Sequence, residues 1–150
     1  LGAGTGLISI YCAQKGARVS ASDVSPLALR GVKENAANNN TPVVVIESDL
    51  FDVIDPLDFD LIVINPPYYP KAICSEMDRP WYCGEHHEYF EKLFYQLKEK
   101  TVSLDALMIL SEDCDLHQIQ SIAKKNSLQL QEIHSSKKCG EWNFIYKISE

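Results

Sequence analysis

Apolar positions along this 150-residue chain switch repeatedly between a helical and an extended rhythm. After Gly6, the residues Leu7, Ile8, Ile10 and Tyr11 recur at helical spacing, and Gly16 stands where a helix would close. Ala17, Val19 and Ala21 then alternate toward Asp23, which predicts a strand. Ser25-Pro26 is a helix start, because the hydroxyl caps free N–H groups and proline fits the first turn. Leu29, Val32 and Ala36 form the apolar stripe of that helix, and Asn38-Asn39-Asn40 ends it. A β-branched run at residues 43–46 and an apolar run at 61–64 follow as the third and fourth strands. The second is apolar throughout, as suits a parallel strand covered on both faces.

Between Pro66 and Cys83 lies a long loop carrying Pro67, Pro70 and Pro80 together with Tyr68, Tyr69, Trp81 and Tyr82. Loops of that length in a compact domain are usually functional. Phe90, Leu93, Phe94 and Leu97 then make a clean helical stripe, read as core rather than as a ligand box. Residues 106–110 predict a further strand, and Ile119, Ile122 and Ala123 a helix capped near Asn126. The end of the chain reads as antiparallel: residues 128–133, a turn around Cys139-Gly140, then Phe144, Tyr146 and Ile148 alternating with polar positions. Strands alternating with helices predict a doubly wound α/β sheet. The chain opens inside a motif without an initiator Met, so we expect residues 1–150 to be one domain lacking its N-terminal part.

Composition narrows the partners. With 45% hydrophobic and 9% aromatic residues the chain is ordinary globular material. A single domain of this size buries about two thirds of its unfolded surface. No apolar run approaches the roughly 20 residues of a membrane span, and no signal-like segment opens the chain. No membrane partner is expected. The formal charge is −7, with six acids from Glu47 through Asp49, Asp52, Asp55 and Asp58 to Asp60. Lys124, Lys125, Lys137 and Lys138 read as solvated surface. An acidic domain repels a polyphosphate backbone, so a protein partner is favoured over RNA or DNA. The five cysteines are odd in number and form no C-x-x-C pair, which argues against a disulfide scaffold and for a reduced, cytoplasmic setting. Cys74, Cys83, His86 and His87 match no common zinc spacing, and no metal is expected.

Chemistry concentrates in four places. Gly2, Gly4 and Gly6 lie between a strand end and a helix start, where positive φ and close backbone approach favour glycine. NAD enzymes use a related G-x-G-x-x-G turn, but here the third glycine comes one residue early. Asp23 follows the next strand about 20 residues on, where a carboxylate accepts from both ribose hydroxyls. The same acid also suits the start of the helix at Ser25. Asp49 follows the third strand; it is placed to accept from an adenine amino group flanked by Leu50 and Phe51, or is a plain loop acid. Asn65-Pro66-Pro67-Tyr68 leaves the fourth strand directly, at the carboxyl edge of the sheet. A planar amino nitrogen delocalises its lone pair and is a poor nucleophile. The Asn65 side-chain oxygen and the Pro66 carbonyl, accepting its two N–H protons, would shift charge onto it. Proline holds that carbonyl at a set angle, and Tyr68 offers a flat face for stacking.

Together these residues resemble the class I S-adenosylmethionine-dependent methyltransferases, in the amino-methylating branch that carries N-P-P-Y. Within it the chain is most similar to the catalytic domain of release-factor glutamine methyltransferases, notably over residues 59–68. The resemblance implies a Rossmann-like, doubly wound, mostly parallel seven-stranded sheet with an antiparallel C-terminal hairpin, its first strand truncated here. It implies that Gly2, Gly4, Thr5, Gly6, Asp23, Asp49 and Leu50 contact S-adenosyl-L-methionine, with Asn65 touching both cofactor and acceptor. It further implies that Asn65, Pro66, Pro67 and Tyr68 hold the accepting amide of a macromolecular substrate. Adenine in RNA or DNA is the alternative acceptor, since the same tetrapeptide serves an exocyclic amine. Where many of the glutamine enzymes carry a glycine-rich acidic loop, this chain has Trp81-Tyr82-Cys83-Gly84-Glu85-His86-His87.

Overall fold

The computed structural model describes residues 1–98 and 105–150, which fall into two compact units, Leu1–Ile54 and Asp55–Glu150. In the first, α1 (Leu7–Gln14) is followed by β1 (Ser20–Asp23), α2 (Pro26–Asn38) and β2 (Val44–Glu47). The two strands pair in parallel, with Ser20 opposite Val44 and Asp23 opposite Glu47. Gly16 closes α1 at φ 94°. The Ala17 N–H donates to the Cys12 carbonyl at 3.2 Å and the Gly16 N–H to Ala13 at 3.0 Å, a paired left-handed cap. The Ser25 hydroxyl accepts from the Ala28 N–H at 3.4 Å, and Leu29, Val32 and Ala36 face inward from α2. Of the apolar residues in α1, Ile10 is buried, while Leu7, Ile8 and Tyr11 are exposed.

The second unit begins with a short 3-10 turn, Pro56–Asp58, capped by the Asp55 carboxylate. It continues through β3 (Leu61–Ile64), α3 (Glu88–Lys98), β4 (Asp105–Ser111), α4 (Leu116–Lys125), β5 (Gln129–Lys138) and β6 (Glu141–Ser149). The sheet runs in the order β3-β4-β6-β5. β3 and β4 are parallel, and the β4–β6 and β5–β6 pairs are antiparallel. Phe90, Leu93, Phe94 and Leu97 of α3 are fully buried, as are Ile119 and Ile122 of α4 and Ile64, Ala106 and Met108 of the sheet. Each such large side chain contributes about 1.5–3 kcal/mol of burial. Cys139 at φ 53° and Gly140 at φ 91° form the left-handed pair that a two-residue hairpin turn needs. A register shift between Glu132 and His134 leaves Ile133 exposed in an otherwise regular ladder.

Among the described residues there are six strands, two in a parallel sheet in the first unit and four in a mixed sheet in the second, so the expected count of seven is not reached among them, while the antiparallel C-terminal hairpin is present as expected. Along β3, Ile62 and Ile64 are buried, Val63 is half-buried and Leu61 is exposed. The apolar run of β3 belongs to the edge of the four-stranded sheet.

Candidate functional site

In the first unit the glycine turn is built as its residue types require. Gly2, Gly4 and Gly6 have φ of 65°, 54° and 81°. The Ala3 N–H donates to the Ser22 carbonyl at 2.8 Å, anchoring the turn on β1, and the Gly6 N–H closes it on Ala3 at 2.8 Å. A Cβ on Gly6 would lie 3.1 Å from Val32 Cγ1 and 3.3 Å from its Cα, so this glycine also permits the turn to touch α2. Gly2 and Gly4 have open space where a Cβ would go, and need glycine for φ alone. Thr5 is exposed, and its carbonyl accepts from Asn35 Nδ2 at 2.9 Å.

Asp23 ties the turn to the next helix. Its Oδ2 accepts from the Gly4 N–H and its Oδ1 from the Ser25 N–H, each at 2.9 Å. Both readings of this acid therefore have a place: it serves the helix start, and each oxygen keeps a lone pair for a further donor such as a hydroxyl. Because β1 and β2 are parallel, their exits share one edge, where the Ser48 N–H donates to the Asp23 carbonyl at 3.1 Å. Asp49 is exposed at that edge. Leu50 has a left-handed backbone, φ 53°, and is buried, as is Phe51. The Ser48 hydroxyl holds this bend by donating to the Leu50 carbonyl at 2.8 Å and accepting from the Val53 N–H at 3.4 Å. The structure thus brings Gly2, Gly4, Gly6, Asp23, Asp49 and Leu50 to one sheet edge. A larger cavity in this unit, about 240 Å³ between α1 and α2, is lined by only one of the predicted residues, Thr5.

The second unit carries Asn65-Pro66-Pro67-Tyr68 at the carboxyl end of β3. Asn65 is exposed, Pro66 buried, and Pro67 and Tyr68 half-buried. With Tyr69, Pro80 and Trp81 they line a cleft of about 150 Å³. Apolar cavities of about that volume hold a benzene ring, so there is room for one planar group. The Tyr68 and Tyr69 rings lie 4.8 Å apart at 53°. Tyr69 is fixed by main-chain bonds. Its N–H donates to the Trp81 carbonyl at 3.0 Å, and its carbonyl accepts from Lys71 and Cys83 N–H groups, both at 3.0 Å. The Cys83 thiol adds a contact to that carbonyl at 3.4 Å. Burial pushes that thiol up to about 11. The Tyr69 hydroxyl is raised above its ordinary value, chiefly by Tyr68 beside it.

Tyr69, Pro80 and Trp81 were not among the predicted site residues. The proline and aromatic content of the loop was the available signal, but nothing in it shows that the loop folds back. His87 is buried at φ 63° and its Nε2 has no hydrogen-bond partner among the described residues, while His86 is exposed. Among the described residues no group of three His, Cys, Asp or Glu converges to hold a metal, and all five cysteines are free thiols.

Residues 1–76, half of the chain, match the family described as methyltransferase small domain. The chain belongs to that family. Relatives of this methyltransferase domain act on different acceptors. A putative protein N5-glutamine methyltransferase of Methanocaldococcus jannaschii is 46% identical over 79 residues, 52% of this chain and 40% of that protein. A tRNA1(Val) (adenine(37)-N6)-methyltransferase of Actinobacillus pleuropneumoniae is 39% identical over 80 residues, 50% of this chain and 34% of that protein. The chain thus spans 40% or less of the length of both curated relatives. Among solved structures, the E. cuniculi Mtq2–Trm112 complex responsible for methylation of the eRF1 translation termination factor is similar in fold. It gives a TM-score of 0.70 at 19% identity, covering 99% of this chain and 80% of that one.

Proposed function

We propose that the protein is an N-methyltransferase that uses S-adenosyl-L-methionine to methylate the side-chain amide of a glutamine, in a protein such as a translation release factor. The carrying observation is the cleft lined by Asn65, Pro66, Pro67 and Tyr68, sized for one planar group, in a methyltransferase-family chain. The first unit's donor set fits the cofactor. The glycine turn leaves open space beside Gly2 and Gly4, Asp23 keeps acceptor capacity for ribose hydroxyls, and Asp49 is exposed to accept from an adenine amino group. When bound, the cofactor supplies an electrophilic methyl on a sulfonium sulfur.

The chain's own residues then act on the acceptor. The Asn65 side-chain oxygen and the Pro66 carbonyl would accept the two amide N–H protons and keep electron density on the nitrogen that is to receive the methyl, which would then give up one of those protons to solvent. Tyr68 stacks on the amide plane and limits its rotation. Alignment of this kind is worth about 7–11 kcal/mol, and hydrogen bonds that strengthen with developing charge add to it. The M. jannaschii relative and the net charge of −7 both support a protein acceptor. The A. pleuropneumoniae relative supports the second reading, transfer to an unpaired adenine in RNA. No helix among the described residues is long and apolar enough to cross a membrane, in keeping with a cytoplasmic enzyme of translation.

The test is transfer of radiolabelled methyl by the full-length protein to purified release factor and, separately, to tRNA, with the product residue identified by mass spectrometry. Asn65→Ala is expected to lower kcat by roughly 100-fold or more while cofactor affinity changes little. An Asn65→Ala protein with wild-type kcat would sink the assignment.

A further inference from the structure

The structure gives the stretch that follows the tetrapeptide a defined shape. Tyr69 and Tyr82 form a parallel bridge that closes the loop at its base. Inside it, Asp78 Oδ2 accepts from the Cys74 N–H at 3.0 Å, the Ser75 N–H at 2.8 Å and the Ser75 hydroxyl at 2.9 Å. The Asp78 carbonyl in turn accepts from the Trp81 and Tyr82 N–H groups at 3.0 and 2.9 Å. One residue therefore organises both halves of the excursion, and these bonds hold Asp78's carboxyl below its ordinary value.

This loop shows apolar side chains to solvent. Met77 is 76% exposed, Trp81 61% and Ile73 41%, although each would gain by burial. Trp81 also lines the cleft next to Asn65, so the exposed stretch is continuous with the acceptor site. Its charges are balanced and engaged. Arg79 Nε sits 2.9 Å from Glu76 Oε1, and Lys71 Nζ lies over the Tyr82 ring at 5.3 Å. A surface made for a phosphate backbone presents rows of available cations. This one presents Ile73, Met77 and Trp81, the side-chain types of a protein contact.

We propose that the Ile73–Trp81 loop is the docking ridge for the protein segment flanking the target glutamine, with Trp81 as the wall of the cleft that positions the acceptor. This rests on the glutamine reading above and names where its protein substrate is held. Trp81 reaches both the accepting amide and the chain around it, so it acts on substrate binding more than on the transfer step. Met77 touches flanking chain alone.

The experiment measures steady-state methylation of release factor by the full-length protein and by Met77→Asp, Trp81→Ala and Trp81→Phe variants, with cofactor affinity measured by calorimetry. Met77→Asp and Trp81→Ala are expected to raise KM for release factor roughly tenfold each, the scale of one apolar anchor at an interface. Trp81→Phe is expected to recover most of the loss, cofactor affinity to stay unchanged in all three, and kcat of Met77→Asp to stay within about twofold of wild type. Unmoved KM values in both Met77→Asp and Trp81→Ala would overturn the ridge while leaving glutamine transfer intact. A wild-type protein that methylates tRNA and ignores release factor would overturn both. Met77 is a surface residue, so the test does not depend on the tryptophan variant folding well.

Discussion

Replacing Asp23 by asparagine keeps the side chain's shape but removes one of its two acceptors. Only one of the two backbone bonds, to Gly4 or to Ser25, can then survive, and the NH2 group faces the other donor. The Ser25 bond is part-buried and the Gly4 bond exposed, so the remaining oxygen is expected to turn toward Ser25. The surviving bond loses its charge assistance, and water partly replaces the lost one. Each change costs about 1 kcal/mol, for about 2 kcal/mol in all. In a protein of this size that is a fall in Tm of about 4–8 °C. With Asp23 in its proposed role as ribose acceptor, the effect on cofactor should be larger, roughly 10- to 100-fold in Kd. Differential scanning calorimetry and titration calorimetry read the two quantities separately. A Tm within about 1 °C of wild type would show that the tie adds no stability, and an unchanged Kd would remove Asp23 from the cofactor site.

The other glycines and thiols give further checks. Gly6→Ala combines left-handed strain of about 1–2 kcal/mol with crowding of about 1–3 kcal/mol against Val32, whereas Gly4→Ala carries the strain alone. Urea midpoints should therefore rank wild type above Gly4→Ala above Gly6→Ala, and equal losses would disprove the close approach to α2. Cys74 and Cys139 are exposed while Cys83 and Cys114 are buried with raised thiol values, burial being the main cause. Iodoacetamide at pH 8 should label the first pair quickly and the second pair only in denaturant, as read by peptide mass spectrometry. The folded Cys83 thiol keeps its proton up to about 11, while the unfolded thiol releases it near 9.0. Between those values the unfolded state binds fewer protons, so stability falls as pH rises. Cys83→Ala should flatten that part of the stability profile, and an unaltered slope would show that the thiol has no such role.

What the sequence made legible depended on side-chain identity. The α3 stripe of Phe90, Leu93, Phe94 and Leu97 is wholly buried because helical spacing leaves one apolar face. Ser25, Gly16 and Asn126 mark helix ends because their capping chemistry is local. The glycine turn was readable for the same reason, since each of its glycines has positive φ. The features that escaped are made by backbone. The return of the loop onto Tyr69 uses main-chain groups of Trp81 and Cys83, which any residue types could supply. The bend at Leu50 puts a non-glycine residue in the left-handed region, against its intrinsic preference. Asp23 looks the same in sequence whether its carboxylate meets a ligand or two amides. The register shift beside Ile133 likewise has no marker residue.

The bridge between Tyr69 and Tyr82 has an engineering consequence. A loop knotted at its neck transmits little of what happens at its tip, and lengthening it costs only slowly growing closure entropy. Exchanging residues 72–77 then removes the bonds from Cys74 and Ser75 to the Asp78 carboxylate but leaves the main-chain bonds of the neck, which any residue at position 78 can accept. On the proposed docking role, retargeting such an enzyme becomes a matter of grafting new tips onto a preserved stem.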